Sequence, residues 1–245
     1  MNVAVILAGG VGNRVGAGIP KQFVEVLGKP VLAYTVEKFQ EHPQIDAVEI
    51  VCIHSYIPYM EEMKEKYGLT KLKWIAEGGA TFQESVLNGI YYLEDKLQDD
   101  DIVLVHFAAN PFVEEEIITD AIRVCKEKGN AITTTPFYVL SGLKDDETKC
   151  STWIDRDTIA VMNAPHAFKY GYIRDLYKEA ERTGAINEVE PHTTTLMWYM
   201  GQTVYFSYGS QTNLKITTKE DLDLFEGYVL MKQKRAREQK EKEDR

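Results

Sequence analysis

Residues 3–23, VAVILAGGVGNRVGAGIPKQF, constrain the chain more than any other stretch. Val3, Val5, Ile6 and Leu7 read as a parallel strand buried on both sides, because an uninterrupted apolar run bounded by glycine suits a strand covered on both faces. Ala8, Gly9, Gly10 and Gly12 follow with almost no side chain, so the backbone can turn sharply and aim its N–H groups at an anion. The turn is not a P-loop, since no Gly-Lys-Ser/Thr follows, and Val15 stands where G-x-G-x-x-G needs its third glycine. Two cations, Arg14 and Lys21, lie close to it instead. Charges placed there can clamp a triphosphate and offset the negative charge that builds during phosphoryl-group transfer.

Composition narrows the partners. Lys and Arg number 28 against 38 Asp and Glu, a formal charge of −10, which excludes the basic footprint of a general nucleic-acid binder and points to a small-molecule partner. Cys52, Cys125 and Cys150 are widely spaced and form no C-x-x-C pair, so neither a disulfide framework nor a zinc site is expected and a reducing cytoplasm fits. No basic leader with a cleavage site and no long apolar run is found, so no membrane insertion is expected.

Strand and helix patterns alternate along the chain. Strands are expected near residues 46–53, 72–75, 102–105, 131–135 and 204–207. Helical spacing marks residues 31–42, 58–67, 113–128, 172–182 and 193–200, with Leu222, Phe225 and Val229 giving the last helix its buried face. Such alternation predicts an α/β fold, a parallel sheet with helices on both faces, whose ligands bind beyond the carboxyl ends of the strands. A second glycine turn, 77–81, runs into Ser85 and can bring amides and a hydroxyl to a flat heterocycle. His106 closes the strand before residues 107–111. There it either helps position a phosphate or a metal or serves as a hydrogen-bonded structural histidine, and with Thr135, at the end of a later strand, it is assigned to the acceptor side. From 136 to 168 the alternation stops; residues 152–154 and 158–162 look like two short strands around Asp155-Arg156-Asp157, a hairpin arm. With no repeat, linker or boundary, residues 1–245 read as one domain carrying an arm around 137–167, and the charged end after Met231 reads as a solvated helix end.

Taken together, ILAGGVGNRVG, IPKQF, GGATFQESVLNGI, IDR and NLKITT, spread in order over nearly the whole chain, resemble the CTP-dependent cytidylyltransferases that activate alditol phosphates. One branch acts on methylerythritol 4-phosphate in isoprenoid synthesis and the other on ribitol 5-phosphate for wall and capsule polymers; ILAGG and GG-x-T-x-x-ESV-x-NG are more similar to the ribitol branch. The resemblance implies a Rossmann-like, mostly parallel mixed sheet and a homodimer joined by protruding β-arms. It also implies Mg²⁺, and attack by the acceptor phosphate on the α-phosphorus of CTP with loss of pyrophosphate. By position it assigns Arg14, Lys21 and Lys215 to the α-phosphate, Arg156 to the acceptor phosphate of the neighbouring subunit, Ala8, Gly9, Gly10 and Gly12 to the nucleotide loop, and Gly79 with Ser85 to cytosine.

Departures from that pattern cluster on the acceptor side. Phe107 stands where the family's V-H-D-x-x-R-P-F has its carboxylate, Asn110 where it has its arginine, Phe82 replaces an arginine, and His192 lies in the neighbourhood of an aspartate. Mg²⁺, which keeps several waters, can still be held mainly by substrate phosphates, but no metal-ligating residue is assigned. The primary expectation is an active cytidylyltransferase. A catalytically silent nucleotide-binding protein and a sugar-1-phosphate nucleotidyltransferase of another base are the competing readings.

Overall fold

The computed structural model describes residues 1–10 and 19–243. It opens with strand β1 (Asn2–Leu7), then a small hairpin β2 (Glu25–Val26) and β3 (Lys29–Pro30), helix α1 (Val31–Glu41), β4 (Ala47–Cys52), α2 (Ile57–Lys66), β5 (Leu72–Glu77) and α3 (Phe82–Tyr92). The chain continues through β6 (Ile102–Phe107), α4 (Glu115–Lys128), β7 (Asn130–Pro136), β8 (Gly142–Lys144), β9 (Cys150–Trp153), β10 (Ala160–Lys169), α5 (Tyr170–Thr183), α6 (Thr193–Tyr199), β11 (Phe206–Tyr208) and α7 (Lys219–Glu243). The central sheet has seven strands in the order β11-β7-β10-β6-β1-β4-β5. β10 alone opposes its neighbours, pairing antiparallel with β6 and β7, so the sheet is mixed and mostly parallel.

Period-two alternation explains why β1 looks apolar throughout. Ala4 and Ile6 join a core with α1, α2 and α4 on one face, whereas Val3, Val5 and Leu7 join a core with α3 and α5 on the other. A third, smaller cluster seats α7 through Phe225, which meets Tyr34 and Phe112 edge-on. Thr81 and Glu84 form a reciprocal capping box at the start of α3. Among the described residues no helix is long and apolar enough to cross a membrane.

The arm differs from the sequence expectation in one respect. Residues 158–162 do not pair with 152–154; Ala160, Val161 and Met162 pair with Pro136, Thr135 and Thr134 of β7, and the arm hairpin is β8 with β9. The physical reason is that a chain leaving β7 can return directly alongside it, whereas a parallel return needs a long crossover. Asp155 to Asp157 therefore lie on the returning leg, and the hairpin tip falls at residues 145–149.

Candidate active site

Loops from the carboxyl ends of β1, β5 and β6 surround a cavity of about 330 Å³, walled by Gly9, Gly10, Lys21, Gln22, residues 79–82, Ser85, residues 107–109 and Lys215. The first loop is drawn tight by Gln22, which is buried and donates from Nε2 to the carbonyls of Ala8 (2.7 Å) and Gly10 (2.8 Å). Phe23, stacked on Tyr56 at 4.3 Å, anchors the short turn that presents Lys21. Lys21 also lies within electrostatic reach of Asp221: burial raises the Asp221 carboxyl, but N–H groups of Thr218 and Thr217 and the Lys21 charge bring it below its usual range. The base of α7 is thereby coupled to the first loop.

The second loop converges on Ser85, whose hydroxyl donates to the carbonyl of Thr81 (2.9 Å) and accepts from the N–H of Gly79 (3.1 Å). A Cβ on Gly79 would stand 2.2 Å from that of Glu84, so the helix start admits only glycine there without moving. Gly9 approaches the same serine, a Cβ there lying 3.5 Å from its hydroxyl. Both glycine turns thus meet over one side chain.

The third loop is held from four directions. Asn110 N–H donates to the Phe107 carbonyl (3.0 Å), Thr35 Oγ1 to Ala108 (2.8 Å), Ile216 N–H to Ala109 (2.8 Å) and His106 Nε2 to Asn110 (2.9 Å). His106 is fully buried beneath the turn and does not line the cavity. Burial pushes its imidazole down to about 4, partly opposed by the Asn110 carbonyl, so the ring is neutral and Nε2 carries the proton. His166 is likewise pushed down to about 4, by burial and then by His192 and Lys215.

The structure therefore brings Gly9, Gly10, Gly79, Ser85, Lys21 and Lys215 together, with Ala8 buried directly behind the first loop. Arg14 and Gly12 lie outside the described residues. Thr135 and Arg156 do not line the cavity of their own chain: Thr135 is buried and accepts from Asn163 Nδ2 (3.3 Å), and exposed Arg156, expected at the neighbouring subunit's site, donates from Nη1 to the Tyr138 carbonyl (3.2 Å). Sequence reasoning placed the strand end that carries Ala108 and Ala109 in the cleft, as the structure does, but missed Gln22 as a site-building residue. Gln22 carried a signal, its place beside Lys21 in IPKQF; the alanines were marked only by their position after a strand, since what they contribute is carbonyls and lack of bulk. Among the described residues no cluster of His, Cys, Asp or Glu could hold a metal ion, and the cavity wall has no carboxylate. The described residues do not fit a protein-held Mg²⁺.

The chain is similar to known proteins over nearly its whole length. Residues 2–231 match the family described as IspD, 2-C-methyl-D-erythritol 4-phosphate cytidylyltransferase. The ribitol-5-phosphate cytidylyltransferase of Lacticaseibacillus paracasei is 40% identical over 95% of this chain and 100% of its own length. The 2-C-methyl-D-erythritol 4-phosphate cytidylyltransferase of Clostridium acetobutylicum is 36% identical over 91% and 94%. A crystal structure of 4-diphosphocytidyl-2C-methyl-D-erythritol synthase from Anaerococcus prevotii superposes with a TM-score of 0.77 at 24% identity, covering 94% of this chain and 96% of that one, a likeness of fold.

Proposed function

The chain belongs to the IspD family of cytidylyltransferases, nucleotidyltransferases that use CTP, and we propose that its acceptor is ribitol 5-phosphate, the reaction supplying an activated alditol for surface glycan synthesis in the cytoplasm. The observation that carries the reading is the convergence of Lys21 and Lys215 on one cavity floored by the glycine turn. An acceptor phosphate oxygen attacks the α-phosphorus of CTP, forming the new P–O bond. The bond from the α-phosphorus to the bridging oxygen breaks, and pyrophosphate leaves with that electron pair. Negative charge gathers on the α-phosphate in the transition state, so fixed ammonium groups matter more than a strong base. The N–H groups at Gly9 and Gly10 face the phosphates, Arg14 adds a third cation, and Gly79 with Ser85 reads the base edge. Mg²⁺ would enter as the triphosphate's own counter-ion, held by phosphate oxygens and water.

The acceptor phosphate is assigned to Arg156 of a second copy of this chain, delivered by the arm. Support comes from the arm's surface: Leu140 is 84% and Trp153 70% exposed, apolar area that a dimer would cover. Mixing Lys215→Ala with Arg156→Ala subunits tests this. Random exchange leaves one intact site in each mixed dimer and should restore about a quarter of wild-type activity; no recovery would place Arg156 in its own subunit's site.

Pyrophosphate release from CTP, measured with ribitol 5-phosphate, methylerythritol 4-phosphate and glycerol phosphates, tests the reaction. Turnover should be highest with ribitol 5-phosphate and should fall sharply when UTP, GTP or ATP replaces CTP. Binding of CTP without turnover on any acceptor would overturn the assignment in favour of a silent nucleotide-binding protein. Preference for methylerythritol 4-phosphate would move the chain to the isoprenoid branch.

A further inference from the structure

The cavity carries a feature that phosphate chemistry alone does not require. The Lys215 ammonium stands 3.6 Å above the centroid of the Phe107 ring, well inside the distance at which an aromatic face attracts a cation. Phe107 in turn lies against Phe82 with centroids 5.4 Å apart, and Phe82 lies against His192 at 4.9 Å. Phe107 and Phe82 both line the cavity, and Phe82, the first residue of α3, braces the ring under Lys215.

The backbones of the two residues are tied as well. Ile216, next to Lys215, donates to the Ala109 carbonyl of the turn that begins at Phe107, and Asn213 donates from Nδ2 to the Ala164 carbonyl at 2.7 Å. Lys215 is therefore bracketed by fixed points, one of which belongs to its aromatic partner's own turn. Beyond the backbone, a lysine stem has four rotatable carbons and loses considerable freedom when its head group must meet one spot. A ring face restrains such a head group while leaving its charge intact, whereas a carboxylate would restrain and neutralise it.

We propose that Phe107 is a positioning residue for the transfer reaction, its braced ring holding the Lys215 ammonium at the place where the α-phosphate develops charge. The inference rests on the cytidylyltransferase reading and adds to it a residue with no polar atom. Phe107 makes no bond to the substrate; it acts through Lys215, shortening the search that Lys215 must make at the moment of reaction.

Fluorination separates the ring's electrostatics from its shape. Phenylalanine carrying one, two or three ring fluorines, introduced at position 107 by nonsense suppression, weakens the negative face stepwise with little change in volume. The expected result is a graded fall in kcat, reaching about 2- to 30-fold for the full loss of a cation–π contact, with CTP affinity and thermal midpoint unchanged. Phe107→Leu, which removes the ring, should lose as much as the trifluoro ring. A flat kcat across the series would overturn the proposal while leaving the reaction assignment untouched. If no acceptor supports turnover, the reaction assignment fails instead, and a second readout still judges Phe107. The rate at which an amine-reactive reagent labels Lys215 in the protein without nucleotide should rise along the fluorine series, and an unchanged rate would overturn the proposal.

Discussion

The turn of residues 107–110 and the arm that follows β7 leave the same end of the sheet and are built in opposite ways. Every carbonyl from Phe107 to Asn110 is taken by a donor, two of them from distant elements, Thr35 on α1 and Ile216 before α7. The arm's bonds are local, such as Ile154 to Ser141 and Arg156 to Tyr138, and Tyr138, Val139, Leu140, Leu143 and Trp153 all face outward. A loop fixed by the rest of its chain can hold a cation within a fraction of an ångström before substrate arrives, which is what electrostatic preorganisation needs. A hairpin fixed only by itself must find its packing elsewhere, and its apolar surface belongs to the proposed second subunit.

The largest effect that would break this contrast is at the lysines. Lys215→Ala and Lys21→Ala should each lower kcat by about 10²- to 10³-fold, because they meet charge present mainly in the transition state. Their unfolding free energy in urea should fall by no more than a single cation–π or ion contact is worth, about 0.5–2 kcal/mol, less than the loss of rate implies. A variant that loses stability in proportion to activity would mean that the lysine builds the loop instead of serving the reaction.

Next in size is His106→Ala. Removing a buried ring and orphaning the Asn110 carbonyl should cost roughly 2–4 kcal/mol, with activity falling alongside because the turn carries both Phe107 and the anchor for Lys215. The pH dependence sharpens this. A histidine held down to about 4 in the folded state takes up a proton near its ordinary value once unfolded. Its contribution is therefore fully present above about 6.5 and is lost as pH falls from there toward about 4. His166 acts in the same direction, so urea unfolding should weaken across that window, and His106→Gln, which keeps a donor, should flatten but not abolish the slope.

Glu49 supplies a reference point outside both regions. It is wholly buried on β4, neither carboxylate oxygen has a hydrogen-bond partner among the described residues, and burial raises its carboxyl well above the usual range, Lys96 opposing weakly. A carboxyl kept protonated in the fold but ionised in the unfolded chain makes stability fall as pH rises through the interval between the two values. The stability of Glu49→Gln relative to wild type should therefore rise from pH 5 to pH 8. Equal differences at the two pH values would show that the carboxyl is not neutral in the fold.

The smallest effect on the single chain is expected in the arm. Leu140→Asp and Trp153→Ser should each change monomer stability by less than about 0.5 kcal/mol, since both side chains are exposed. Light scattering should nevertheless show the mass falling from dimer to monomer. A dimer that survives both substitutions would remove the arm from the interface and with it the reason for delivering Arg156 to a neighbour.

Much of this was legible from the order of residues. The apolar run into Gly9 and Gly10, the second turn into Ser85, and the helical spacing of α1, α4 and α5 follow from local rules, because backbone freedom and hydrophobic period are properties of neighbours in the chain. The pairing of the arm was not, since strand partners are chosen by where the chain can return, and β10 found β7 where a pattern search saw two strands of one hairpin. Nor could His106 be placed. A histidine at a strand end can face a substrate or a carbonyl, and only the return of residues 107–110 over its ring decided for the carbonyl of Asn110. Sequence by itself determined the glycine turns, the cations and the family they belong to. Tertiary structure alone put Lys215 over Phe107, because their contact joins segments more than a hundred residues apart, and an interaction across that distance exists only once the sheet has brought both ends together.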